Sequence, residues 1–310
     1  MLQSCWFEEN GTTKNRIENG VRGGIVHRTE LRRGGIVALT NALQITSATD
    51  SGRVRGHNED CVESRPEIGL VVLADGMGGY NAGEVASGMA TSVIAAGLGQ
   101  SWTAGRIGKL NRDAATKLSQ ELLQQHISEA NRAIFDVAQK DPQCAGMGTT
   151  LVACLFYDNF VTVGHIGDSR LYRMRNDALE LITRDHSLLQ EQIDSGLISV
   201  EEARSSHNRN LVTRAVGIDP DVDTEIQTYD VAVGDIYLLC SDGLNDMIED
   251  EEIQMTLIAL QSNLDLTAQQ LVQAANDAGG RDNVSVMLIK VLKSFPVQRG
   301  FWAKLKSYFA

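Results

Sequence analysis

Paired cysteines are missing from this chain. Its five cysteines, Cys5, Cys61, Cys144, Cys154 and Cys240, are odd in number and never spaced as CxxC. That argues against a disulfide framework or a zinc site and suits a reducing cytosol. Cys154 and Cys240 fall inside apolar runs, where a small buried thiol is the ordinary outcome. Long apolar runs are missing too, so no transmembrane segment is expected. Residues 1–15 lack the charged-then-apolar order of a secretory signal. A cytoplasmic location is therefore expected. There is no GxxxxGK[ST] and no GxSxG, which removes a P-loop NTPase and a serine nucleophile elbow. Positive charge is also short. Lys and Arg number 28 against 40 Asp and Glu, a net charge of -12. Such a surface repels nucleic acid and anionic membrane, so neither is an expected partner.

What is present can bury a core. Of 310 residues, 43% are hydrophobic, enough for one large domain or two smaller ones. Residues 1–41 differ from the rest in carrying more Lys and Arg than Glu, with glycine pairs at Gly23-Gly24 and Gly34-Gly35. They read as a flexible basic arm ahead of a domain over 42–293. The tail over 294–310 contains an amphipathic helix candidate, Arg299 to Ala310. Between them, strands are expected at Leu43–Thr49, Gly69–Ala74, several across Thr149–Ile182, Asp235–Cys240 and Val284–Val291. Helices are expected at Val85–Leu98, Asp113–Gln139, Ser187–Ser206, Glu249–Leu260 and Thr267–Ala278. Strand runs cluster as hairpins, and too many occur for strict βαβ alternation. The pattern favours α+β with antiparallel sheets.

Five acidic islands carry the chemistry. They are Arg55-Gly56-His57-Asn58-Glu59-Asp60, Asp75-Gly76-Met77-Gly78-Gly79, Gly167-Asp168-Ser169-Arg170, Ser241-Asp242-Gly243 and Gly280-Arg281-Asp282-Asn283. One Asp-Gly is usually a hairpin turn. Asp75 instead leaves an apolar strand and is followed by more glycine than a tight turn needs. Asp242 repeats the pattern, and Asp168 and Asp282 flank strands of their own. Oxygen ligands from several strand ends suit Mg²⁺ or Mn²⁺ with waters retained, and the Gly76 carbonyl can join them. Arg55, beside the Glu59-Asp60 pair, can take a phosphate with its guanidinium fork. No protein nucleophile stands near, so metal-activated water is the natural attacker.

These islands resemble, in order, the motifs of the metal-dependent protein phosphatases of the 2C type (PP2C, or PPM) in their bacterial form. RGHNED, DGMGG, Gly148-Thr149-Thr150, GDSR, Arg184-Asp185-His186-Ser187, SDGLND and GRDNVSV each match, across about Leu43 to Val291. The resemblance implies a β-sandwich of two antiparallel sheets flanked by helix pairs, with a metal cleft at one end and a flap over about 187–214. It implies that Asp75 bridges two tight metals, that Asp242 and Asp282 complete the first, and that the Gly76 carbonyl serves the second. Glu59 and Asp60 would hold metal-bound waters. Asp168 would share a weaker third ion with Asp242, and Arg55 would hold the substrate phosphate. The catalytic set is then Arg55, Asp75 and Asp242.

The implied reaction is hydrolysis of phosphoserine or phosphothreonine by a metal-bridging hydroxide, in a monomer that opposes a bacterial serine/threonine kinase. A pseudophosphatase that only binds phosphoproteins, and a small-molecule phosphatase, are the alternatives. Met77 and Tyr80 stand where many relatives carry histidine, so the proton donor does not carry over. Tyr80, His57 and water are its candidates.

Overall fold

The computed structural model describes residues 39–79, 82–199, 202 and 211–297. Its strands are β1 (Leu43–Asp50), β2 (Asp60–Arg65), β3 (Leu70–Met77), β4 (Gly148–Thr149), β5 (Leu151–Tyr157), β6 (Phe160–Ile166), β7 (Arg170–Arg175), β8 (Ala178–Leu181), β9 (Glu225–Asp230), β10 (Ile236–Cys240) and β11 (Val284–Val291). They form two sheets, β1-β11-β10-β7-β8 and β2-β3-β5-β6-β9, with β4 paired to β3. Every pairing is antiparallel. The architecture is α+β, as the hairpin-rich sequence implied.

Alternation along the strands explains how the layers stack. Val71 and Leu73 of β3 share one buried cluster with Val152 and Cys154 of β5, and with Tyr237, Leu239, Met287 and Ile289 of the other sheet. That cluster lies between the sheets. The opposite phase of β3, Leu70, Val72 and Ala74, packs with residues of the helices Ala82–Ser101 and Arg112–Lys140. Leu238, Cys240, Val286 and Leu288 pack with residues of Asp250–Leu260 and Leu264–Asp277. A strand covered on both faces has no need of polar alternation, which is why β5, β10 and the first five residues of β3 read as unbroken apolar runs.

Three expectations change. The expected Ser187–Ser206 helix is broken: it runs Leu188–Asp194 and is followed by Gly196 at φ 71, and residues 200, 201 and 203–206 lie outside the described residues. Strands β2 and β9 were absent from the sequence reading. Packing continues past the expected domain limits of 42 and 293 on both sides. Leu39 begins a helical turn, Leu39–Ala42, and is buried with Phe295 in the cluster between the sheets. Phe295 N and Val297 N donate to Asn159 Oδ1 and Asp158 Oδ1 at 2.7 Å each. The expected helix at Arg299–Ala310, and most of the basic arm, lie outside the described residues.

The buried Leu39 makes a measurable prediction. A chain beginning at Ala42 loses it, at a cost of about 2–5 kcal/mol. Its melting temperature should fall by roughly 5 °C or more relative to a chain beginning at Leu39. Equal melting curves would show that Leu39 contributes nothing to the core.

Candidate active site

The acidic islands converge at one end of the sandwich because register puts them there. Asp60, first residue of β2, pairs directly with Asp75 of β3. Asp75 follows Val71 and Leu73 at the two-residue period of the face between the sheets. Strand β3 continues through Gly76 to Met77, so Asp75-Gly76 is not a hairpin turn. From the other sheet, β10 ends at Cys240 and Asp242 opens the short helix Asp242–Asn245. Asp282 lies on the loop entering β11, and Asp168 on the loop leaving β6.

The glycines after the two motif aspartates are required by close packing. A Cβ on Gly76 would stand 2.1 Å from the carbonyl oxygen of Gly83. One on Gly243 would stand 1.9 Å from that of Asn283. Any side chain at either position would push the segment that carries its aspartate off its neighbour.

Several polar side chains of the motifs, to which the sequence assigns no role, hold the acids in place. Asn283 Oδ1 accepts from Glu59 N at 2.8 Å, and its Nδ2 donates to the carbonyls of His57 and Ser51. It therefore ties the Arg55–Glu59 loop to the entry of β11. Ser241 Oγ donates to Asp60 Oδ2 at 2.8 Å. Thr150 Oγ1 accepts from Asp75 N at 3.1 Å and pairs with Ser169 Oγ at 2.7 Å. Asn283, Ser241 and Ser169 each stand beside a motif acid in the chain, the signal that could have found them, whereas Thr150 reaches Asp75 only through the fold. Arg55 donates to Asp282 Oδ2 at 2.6 Å and is about half exposed. The expected phosphate fork is thus held at the edge of the acidic cluster. His57 Nε2 lies 3.5 Å from Glu59 Oε1.

The sequence pattern of protein phosphatase 2C matches residues 56–285. The chain belongs to the protein phosphatase 2C family. The serine/threonine phosphatase stp of Listeria innocua is 35% identical over 248 residues, covering 78% of this chain and 93% of its own length. Serine/threonine protein phosphatase PstP of Mycobacterium tuberculosis is 38% identical over 255 residues, 82% of this chain and 46% of PstP. A crystal structure of that enzyme superposes with a TM-score of 0.71 at 36% identity, covering 81% of this chain and 100% of the solved one. The catalytic domain of a PstP solved in complex with two manganese ions gives 0.69 at 35% identity, covering 81% and 99%.

The electrostatics of this phosphatase 2C chain fit divalent cations. Asp60 Oδ1 and Glu59 Oε1 are buried and accept no hydrogen bond. Burial pushes Asp75 well above the usual carboxylate range, and Asp60, Asp242 and Asp168 push it further. Asp242 is raised in the same way, by burial and then by Asp168, Asp246 and Asp282. Asp60 rises to about 6 and Asp168 to about 7, burial again leading in both. Such a cluster is unfavourable by itself and becomes favourable around cations. Asp246, last residue of SDGLND, is a further acid on the Asp168–Asp242 side that the sequence reading left unassigned.

The two buried thiols are poor nucleophiles. Burial pushes the Cys240 thiol up to about 12, and Cys154 is raised in the same direction. Neither can supply a thiolate near neutral pH.

Proposed function

We propose that this protein hydrolyses phosphoserine and phosphothreonine in proteins, reversing the work of a serine/threonine kinase in the cytoplasm. The observation that carries the reading is the convergence of Asp60, Asp75, Asp168, Asp242 and Asp282, from both sheets, beside the guanidinium of Arg55. Asp75, Asp242, Asp282 and the Gly76 carbonyl would hold two Mn²⁺ or Mg²⁺ ions. Asp168 would hold a weaker third with Asp242. Glu59 and Asp60, each with a bare buried oxygen, would hold the water shell. When bound, the cations would activate a water toward phosphorus and offset the charge of the phosphoryl oxygens.

The protein's own groups do the positioning. Arg55 is anchored through one guanidinium nitrogen on Asp282, so its remaining donors can orient a phosphate. Asn283 holds the loop that carries Arg55, so the clamp is ordered before substrate arrives. With Cys240 and Cys154 kept protonated, neither buried thiol forms a covalent phosphoenzyme. A serine alkoxide leaving group requires a proton. Solvent is the favoured source. His57 is the candidate side chain in the described region, and Tyr80 lies outside it.

The test is turnover of phosphoserine and phosphothreonine peptides by Mn²⁺-loaded protein, beside small aliphatic phosphate monoesters, with and without EDTA. Peptide hydrolysis that stops in chelator and returns with Mn²⁺ is expected. Peptide binding without turnover would replace this reading with the pseudophosphatase. Efficient turnover of the small esters alone would replace it with a small-molecule phosphatase.

A further inference from the structure

Away from the acidic cleft, at the β6–β9 edge of the second sheet, three metal-binding side chains meet. His165 on β6 pairs directly with Glu225 on β9. His186, just before the Leu188–Asp194 helix, lays its ring against that of His165, with centroids 4.7 Å apart. Ligand atoms of all three lie within 4.8 Å of one another. His165 is 2% exposed and His186 8%.

The hydrogen bonds assign the protons. His165 Nε2 faces the carbonyl oxygen of Ser169 at 3.1 Å, so Nε2 carries the hydrogen. Its Nδ1 lone pair is buried and has no partner. A backbone carbonyl on one nitrogen with the other left bare is how metal-binding histidines are commonly oriented. Burial, aided by His186, drives the His165 pKa down to about 3, so the lone pair is available at any working pH. His186 Nδ1 accepts from Gly167 N at 3.1 Å, which places its proton on Nε2, facing Glu225 Oε2 at 3.5 Å. A shallow surface pocket lined by Thr183, Gln227 and Tyr229 touches His165 and Glu225 and opens the site to solvent on that side.

We propose that His165 Nδ1, His186 Nε2 and Glu225 form a second, transition-metal site, taking Zn²⁺ or a similar borderline ion with a water as fourth ligand. Two imidazoles and one carboxylate select such ions over Mg²⁺. Bonds of about 2.0–2.1 Å require the three ligand atoms to draw together by roughly 1 Å, and the half-exposed Glu225 can supply most of that movement. Arg214 opposes the cation, since its charge also helps keep both imidazoles neutral. Asp185 and Glu225 are the charges that offset it.

The site is wired to the cleft. Binding through Nε2 moves the His186 proton to Nδ1, with no net proton gained or lost. Gly167 N–H then faces an N–H instead of a lone pair and must let go. Gly167 immediately precedes Asp168. His186 N also donates to Gly167 O at 2.8 Å, and His186 O accepts from Thr213 N at 2.8 Å. Metal at His186 therefore loosens the turn that carries Asp168. The site is inhibitory, and that consequence rests on the phosphatase reading; the binding itself does not.

The experiment titrates Zn²⁺ into full-length protein kept in excess diamagnetic Mg²⁺, by calorimetry, with nitrogen-15 histidine spectra and turnover recorded in parallel. Wild type should bind one Zn²⁺ more than Glu225→Gln, or bind it at least tenfold more tightly. Its His186 should change from the Nε2–H to the Nδ1–H tautomer, and its turnover should fall. Glu225→Gln, altered at a partly exposed edge position, should fold and keep basal turnover with little Zn²⁺ inhibition. His165→Asn should behave likewise. Identical Zn²⁺ binding by wild type and Glu225→Gln, with no tautomer change, overturns the site. Binding with a tautomer change but no loss of turnover overturns the inhibition and leaves the site standing.

Discussion

Asp75→Asn and Asp242→Asn should each lose turnover by about 10³-fold or more while making the metal-free protein more stable. The loss follows from the position of each carboxylate at the centre of the acidic cluster, where it would supply several kcal/mol of transition-state stabilisation through the cations it holds. The gain follows from the same position. Burial and the neighbouring Asp60, Asp168, Asp246 and Asp282 make a charge at either residue unfavourable without cations. Asparagine keeps the shape and removes the charge. In EDTA the melting temperature of either variant should exceed that of wild type by roughly 5 °C or more. In Mn²⁺ the order should reverse, because wild type gains binding free energy the variants cannot. An Asp75→Asn protein that turns over phosphopeptide near the wild-type rate removes Asp75 from the chemistry. One that is less stable than wild type in EDTA shows that the cluster is not strained.

Much of this site was legible in the chain because its motifs are short and contiguous. The apolar run before Asp75 and the one before Asp242 exist because β3 and β10 are covered on both faces, so acid at their ends stands out. Strands β2 and β9 were missed for the complementary reason. DCVESR and EIQTYD mix polar with apolar residues and are only partly buried, so no period dominates. Missing β2 hid the Asp60–Asp75 pairing. Missing β9 hid Glu225, which lies 60 positions from the histidine it faces and meets it only through strand register. The over-long helix from Ser187 arose because polar residues at helical spacing do not reveal where a chain turns. Asn283 and Ser241 got no role because a neutral side chain beside a motif acid declares one only once its partners are known, and Thr150 got none because it meets Asp75 across 75 positions of chain.

The pH dependence of the metal-free fold should show the stored repulsion directly. Asp60 is raised from 3.8 to about 6, and Asp168 from 3.8 to about 7. Between about pH 4 and 7 the folded protein keeps protons that the unfolded chain has released. Unfolding then releases protons, so stability falls as pH rises through this window and is level above it. For Asp60 the displacement corresponds to on the order of 3 kcal/mol, with Asp168 comparable. The buried imidazoles act in the opposite sense. His165 and His186 are lowered, so protonation favours the unfolded chain and their contribution to stability rises up to about pH 6.5. A single melting curve mixes the two effects; the difference between wild type and Asp168→Asn separates them, because both proteins carry the same histidines. In EDTA the variant and wild type should melt together near pH 4. The variant should pull ahead by several degrees by pH 7.5. Added Mn²⁺ should shrink or reverse that lead, since the ion then offsets the carboxylate charge. A difference that stays constant from pH 4 to 7.5 would mean that Asp168 ionises as freely in the fold as in the unfolded chain, and that its neighbours do not raise its pKa.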